Sequence, residues 1–394
     1  VGGISRWGNS IRTCLYDSHL QVAHGFIGML MKRKTKLLIV DDSRIFRNAI
    51  QQSLDGQDDI EVIGSVWNGA KAIEFIRLHR PDIVTLDVEM PDMDGLETLQ
   101  AIQKINATNR QFQPIGVIML SSYTQRGADT TLKALEMGAF DFIPKPEGKN
   151  PMENIEALRR QLVVKIRFFA SIRISEGLAR PRAETPRVAE TRIDVSVSPR
   201  AIKAILIGAS TGGPRALLDL LPPLCEKVDV PIFIVQHMPP TFTQSLAKSL
   251  NSRCRYTVIE GSNDDVAQAQ YVYVAPGGKH MLLKGRQQTV RTVVNDGPPE
   301  NGYKPSVDTL FRSAATVYGG DVAAIILTGM GADGSEGAGV LKRAGAYVIA
   351  QDKDSSVVWG MPRSIAESGN ADQVLPLDRI SHAVVTMIRQ SKLR

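Results

Sequence analysis

Lys36-Leu-Leu-Ile-Val-Asp-Asp-Ser43 opens the first interpretable stretch, an apolar run that stops abruptly at two carboxylates and a hydroxyl. A run so short and so apolar reads as a buried strand, and the polar residues mark where the chain leaves the sheet. The pattern recurs in EVIGSV at 61–66, DIVTLDV at 82–88, PIGVIML at 114–120 and DFIPK at 141–145. Helical stretches separate these runs, such as Gly69 to His79, and Arg126 to Met137 stopped by Gly138. Such βα units in succession predict an α/β fold with a doubly wound parallel sheet. An amphipathic helix from Pro151 to Ile172 closes this unit, which spans 35–172.

A second βα series follows, in AILIG at 204–208, PIFIVQ at 231–236, YVYVA at 271–275, VAAIILTG at 322–329 and AYVIA at 346–350. It predicts another parallel-sheet domain over 201–394. Between the two, residues 173–200 hold three prolines, many charges and no aromatic residue, and read as a linker. A chain of 394 residues with 43% hydrophobic and 22% charged residues is long and apolar enough for two cores, which excludes a largely disordered protein. The formal charge of +6 concentrates in Lys32 to Lys36 and in the linker, so no nucleic-acid partner is expected. No apolar run reaches the roughly 18 residues of a membrane span, so no membrane insertion is expected. Cys14, Cys225 and Cys254 form no CxxC pair, which speaks against a disulfide framework or zinc site and for a cytoplasmic location. Residues 1–34 show no clear period and read as an unstructured extension; Met31-Lys-Arg-Lys-Thr-Lys36 has the look of a start just before the first strand.

Ligands of open parallel sheets bind at the carboxyl ends of the strands. In the first domain those ends carry Asp41 and Asp42, Asp87, Ser121 and Ser122, and Lys145. Each alone is bland: Asp42-Ser43 suits a helix cap and Lys145-Pro146 a turn. Together they describe an acidic crevice, and carboxylates that converge repel one another unless a hard, oxygen-liking dication sits among them, which implies Mg2+. An aspartate beside such a cation can accept a phosphoryl group, and Asp87 is the candidate, with Ser121 and Lys145 placed to hold phosphoryl oxygens.

In the second domain, Gly208-Ala-Ser-Thr-Gly-Gly-Pro214 puts Ser210 in a glycine-flanked turn between strand and helix, with the amides of Thr211 to Gly213 available to an oxyanion and Pro214 suited to a first helical turn. G-x-S-x-G by itself is a weak signal. A dinucleotide cradle is the rival, but G-x-G-x-x-G is absent and no acidic residue closes the next strand. The base that a serine hydroxyl needs is sought among His237, His280 and His382. His237 directly follows PIFIVQ and so opens onto the same sheet edge; His280 lies in a loop past a strand and remains a rival. For the acid that orients the base, Asp333 follows VAAIIL in TGMGADG, while Asp296 in NDGP competes. Either could be a plain Asp-Gly turn.

LIVDDS, TLDVEMPDMDG, VIMLSS and IPKP resemble the receiver domain of two-component signalling over about 36–150. That resemblance implies a flavodoxin-like fold, Mg2+ held by Asp42, Asp87 and the Glu89 carbonyl with Asp41 assisting through water, phosphorylation of Asp87, and readout by Ser121 and Lys145. The switch aromatic of the family falls on Phe142, where many members have tyrosine, so a hydroxyl-dependent switch is not expected. GASTGGP, QHMPPTFT, YVAPGGKHM, PSVDTLF and LTGMGADG resemble the catalytic domain of the chemotaxis protein-glutamate methylesterase over about 201–390. This implies a Rossmann-like domain in which Ser210 is nucleophile, His237 base and Asp333 orienter, with Thr211, Gly212 and Met330 amides in the oxyanion hole and no cofactor. Asn301-Gly-Tyr-Lys304 departs slightly from the more basic loop of that family. The implied partners are methyl-accepting chemotaxis receptors as substrate and a chemotaxis histidine kinase as phosphodonor. The expected regulation is a receiver that covers the cleft until Asp87 is phosphorylated. A DNA-binding output would need a helix-turn-helix, which the βα alternation after 201 does not offer.

Overall fold

The computed structural model of the chain describes residues 33–109, 111–178, 201–286 and 289–392. Most of the extension expected over 1–34, and the linker from residue 179 onward, lie outside the described residues. The first sheet holds β1 (Thr35–Val40), β2 (Ile60–Val66), β3 (Ile83–Asp87), β4 (Gly116–Ser121) and β5 (Asp141–Pro144). All pairs are parallel, in the order β2-β1-β3-β4-β5. This is the flavodoxin-like order, with its switch point between β1 and β3. Helices α1 (Arg44–Ser53), α2 (Gly69–His79), α3 (Gly95–Thr108), α4 (Gln125–Glu136) and α5 (Pro151–Leu178) belong to this domain. Ser43, Asn68, Asp94 and Thr124 each accept a first-turn backbone N–H, which sets the starts of α1 to α4. The last helix corrects the sequence reading: α5 continues to Leu178 rather than ending at Ile172. Arg173 explains part of this, since its guanidinium pairs with Asp82 at 2.9 Å and bonds Gln113, pinning the helix where composition suggested a linker.

The second sheet has seven strands: β6 (Ala204–Ala209), β7 (Ile232–Gln236), β8 (Thr257–Glu260), β9 (Tyr271–Val274) and, beyond a hairpin of β10 (His280–Arg286) and β11 (Thr289–Asn295), β12 (Val322–Ile326), β13 (Tyr347–Gln351) and β14 (Gln373–Leu375). Its order is β14-β13-β12-β6-β7-β9-β8, parallel throughout. Helices α6 (Gly213–Cys225), α7 (Phe242–Asn251), α8 (Val307–Tyr318), α9 (Ser335–Arg343), α10 (Met361–Glu367) and α11 (Leu377–Lys392) complete it. Two doubly wound sheets are thus present, as the alternation predicts. β8 (TVIE) and β14 (QVL) escaped the sequence reading because each offers only two apolar residues in a row. β6 is wholly buried, with β7 on one side and β12 on the other. The chain leaves β6 toward β7 and returns to β12, so a second switch point opens between β6 and β12.

Helix α4 of the first domain lies against α7 and α6 of the second. Glu136 at its end accepts hydrogen bonds from Ser249 (2.9 Å) and Arg253 (2.6 Å), and the Phe142 ring of β5 stacks on Phe242 at 4.6 Å. Among the described residues no helix is long and apolar enough to cross a membrane.

Candidate active site

Three adjacent strands, β12, β6 and β7, deliver Asp333, Ser210 and His237 to one edge of the second sheet. Ser210 follows β6, and its amide bonds the Thr328 carbonyl beyond β12 at 3.0 Å. The approach is close enough that a Cβ on Gly329 would lie 2.8 Å from that of Ser210, which requires glycine there. Gln236 ties the other side, donating Nε2–H to the Ser210 carbonyl at 2.9 Å. A Cβ on Gly213 would meet the Gln236 Oε1 at 2.0 Å, so the third glycine of the turn makes room for this tie.

His237 Nε2 lies 2.7 Å from Asp333 Oδ2. With a carboxylate as acceptor, Nε2 carries the proton and Nδ1 is left as the basic nitrogen. Nδ1 is buried and has no partner among the described residues. It is the nitrogen available to a serine proton. The ring is held flat against Tyr303, centroids 4.2 Å apart and planes 14° apart. Asp333 is fixed by more than the imidazole: Oδ1 accepts from Ser306 Oγ (2.9 Å) and the Asp308 amide (3.0 Å), Oδ2 from the Val307 amide (2.7 Å). Burial pushes this carboxyl up, but the hydrogen bonds from His237 and from the α8 N-terminus outweigh it and hold it below the usual range.

The rivals are placed elsewhere. His280 begins β10 and its Nε2 bonds the Pro298 carbonyl at 2.9 Å, while Asp296 is exposed at the end of the hairpin and paired with Lys304. The amides of Thr211, Gly212 and Met330 have no acceptor among the described residues, but that of Gly213 is taken by the Ser210 carbonyl at 2.8 Å, so the set Thr211 to Gly213 shrinks by one. Sequence reasoning missed Ser306, Asp308, Gln236 and Tyr303. Ser306 alone left a signal, as a cap residue before an amphipathic run.

Ser210 and His237 line a cavity of about 120 Å3 whose opposite wall is Asp141, Phe142 and Lys165 of the first domain. Asp141 accepts from Thr211 Oγ1 at 2.7 Å and is paired with Lys165.

At the carboxyl edge of the first sheet, one carboxylate oxygen from each of Asp41, Asp42 and Asp87 lies within 4.8 Å of the others. Lys145 Nζ bridges Asp41 and Asp87 at 2.8 Å each. Burial and then the Asp41 charge push Asp87 up to about 6 against the pull of Lys145, and burial likewise raises Asp41. A pocket of oxygen donors whose charges are this poorly relieved fits a hard dication. Glu89 lends its amide to the Asp87 carboxylate and leaves its own side chain exposed. Ser121 is fully buried at the end of β4, with its carbonyl bonded to the Lys145 amide at 2.7 Å.

A protein-glutamate methylesterase/protein-glutamine glutaminase of Desulfotalea psychrophila is 41% identical over 91% of this chain and 99% of its own length. The chain belongs to the protein-glutamate methylesterase/protein-glutamine glutaminase family. A relative of the same name from Trichodesmium erythraeum is 42% identical over 90% of the chain and 99% of its own length. Within this methylesterase family chain, residues 205–384 match the family described as CheB methylesterase and residues 37–156 the response regulator receiver domain. Among solved structures, the CheB methylesterase catalytic domain of Thermotoga maritima is 42% identical and covers 47% of this chain and 98% of its own, with a TM-score of 0.45.

Proposed function

We propose that Ser210, His237 and Asp333 hydrolyse glutamyl γ-methyl esters, and deamidate glutamines, on methyl-accepting chemotaxis receptors. The observation that carries this is the 2.7 Å bond from His237 Nε2 to Asp333, which leaves Nδ1 as the base beside Ser210 in a shared cavity. Ser210 Oγ attacks the ester carbonyl and passes its proton to Nδ1. The oxyanion forms against the amides of Thr211, Gly212 and Met330. Collapse breaks the ester C–O bond, and methanol leaves with the proton from His237; ammonia takes its place for glutamine. Water then loses a proton to the same nitrogen and attacks the acyl carbon; the bond to Ser210 Oγ breaks, His237 returns the proton to Oγ, and glutamate is freed. Asp333 keeps the proton on Nε2 throughout.

In the receiver, Asp42, Asp87 and the Glu89 carbonyl, with Asp41 through water, would hold Mg2+, which supplies charge neutralisation to the phosphoryl oxygens. Asp87 accepts the phosphoryl group from a chemotaxis histidine kinase, and Ser121 and Lys145 hold its oxygens. Regulation follows from the shared wall. A cavity of about 120 Å3 is far below the several hundred Å3 of ordinary ligand pockets, so a receptor segment can enter only if Asp141 and Phe142 withdraw. Phosphorylation shifts the population toward that open state.

The test is methanol release from methylated receptor membranes by the full chain, with and without magnesium and a small phosphodonor. Release that rises with phosphodonor, is lost in Ser210→Ala and loses only its rise in Asp87→Asn is the expected result. No release from a chain shown to be phosphorylated would overturn the substrate.

A further inference from the structure

Two helix starts in the esterase domain exchange carboxylates. Asp333, in the loop before α9, accepts the amides of Val307 and Asp308 at the start of α8. In return Asp308 Oδ1 accepts the amide of Gly337 in the first turn of α9 at 2.7 Å, with the Gly334 amide bonding it too. Each helix thereby has free N–H groups satisfied by the acid of the other, where the helix dipole favours negative charge. Asp308 is 1% exposed, and its own amide bonds Asp333 Oδ1 at 3.0 Å, so the two acids are close neighbours.

We propose that Asp308 is a positioning residue for the esterase reaction: it locks the loop carrying Asp333 onto α8, and its charge, one carboxyl removed from the imidazole, sets how tightly His237 holds a proton. This rests on the reading of His237 and Asp333 given above. Burial and then the neighbouring Asp333 charge push Asp308 up to about 6 against the Gly337 and Gly334 amides, so it is chiefly ionised at neutral pH and neutral in acid. The other charged groups around it are Glu300 and Glu336, each with a carboxylate oxygen within 4.8 Å of one on Asp308, and Arg312, which pairs with both. Arg312 answers Glu300 and Glu336 and also feels the Asp308 charge, while Asp308 is the acid whose own amide bonds Asp333. An ionised Asp308 therefore favours the imidazolium that forms when Ser210 gives up its proton, and a protonated Asp308 weakens the Asp333 acceptor.

The imidazole can be read directly by titrating the 13Cε1 resonance of His237 in the full chain, assigned with His237→Ala. Asp308→Asn keeps an acceptor for Gly337, and its backbone amide still bonds Asp333, so it removes charge and leaves the brace. The expected result is a His237 pKa lowered by about half a unit or more, with the acid limb of kcat/KM moving the same way. An unchanged His237 titration in a variant that melts as the parent does overturns the proposal. Should Asp308→Asn fail to fold, the parent chain decides: between about pH 5 and 8 the His237 resonance must report a second step as Asp308 takes its proton, and a one-step curve overturns the coupling. Failure of the underlying reading is separate, because methanol release by Ser210→Ala would remove the nucleophile without touching the titration.

Discussion

Both domains put a buried aspartate at the carboxyl edge of a parallel sheet, and the two environments push it in opposite directions. Asp87 is surrounded by other acids and one lysine, and is raised to about 6. Asp333 faces the first turn of α8 and an imidazole, and is held down. The fold logic is common to both; the donors differ. A carboxylate ringed by N–H groups is a fixed anion suited to holding a neighbour in place, while one crowded by like charge is relieved by a cation.

The largest expected effect tests whether the esterase edge is a reaction centre at all: Ser210→Ala should lower methanol release by about 10^5-fold or more with an unchanged melting profile. Asp333→Asn tests the fixed anion, since it keeps the shape but loses the charge that holds the proton on Nε2; a loss on the order of 10^3- to 10^4-fold is expected in the same assay. A rate within tenfold of the parent would erase the contrast between the two aspartates.

The contrast also has a stability signature. Asp87 has a raised folded pKa, so its contribution is fully present below the unfolded value of 3.8 and is lost as pH rises through about 6. Asp87→Asn in chelator should therefore stabilise the chain by about 1–3 kcal/mol at neutral pH and hardly at all near pH 4, measured by denaturant unfolding. Asp333 has the opposite sign: its stabilisation is present above 3.8 and fades as pH falls through its lower folded pKa. The smallest effect concerns the seam between the regions. A double-mutant cycle of Phe142→Ala and Phe242→Ala should return a coupling of about 0.5–1.5 kcal/mol in the free energy separating closed from open chain, read as basal methanol release. A coupling of zero would mean that the stack at 4.6 Å does not hold the receiver on the esterase.

The sequence determined the two βα series and the polar residues that end them. A buried strand must be apolar, and whatever follows it must face the edge where ligands bind, so Asp41, Asp87, Lys145, Ser210 and His237 could be placed from local pattern alone. The start of α1 was legible for a similar reason, because its cap Ser43 bonds an amide only three positions away. Tertiary structure decided what depends on strand order and packing. His237 and Asp333 are 96 residues apart and meet only because β12 and β7 flank β6; that adjacency pairs His237 Nε2 with Asp333 rather than Asp296 and leaves Nδ1 without a partner among the described residues. Asp308 was invisible as more than a first-turn acid, since its partner amide is 29 residues away on another helix. The bond from Thr211 to Asp141 joins residues 70 apart across two domains. Local pattern tells a residue which way to leave its strand, and only the crossovers tell it whom it will meet.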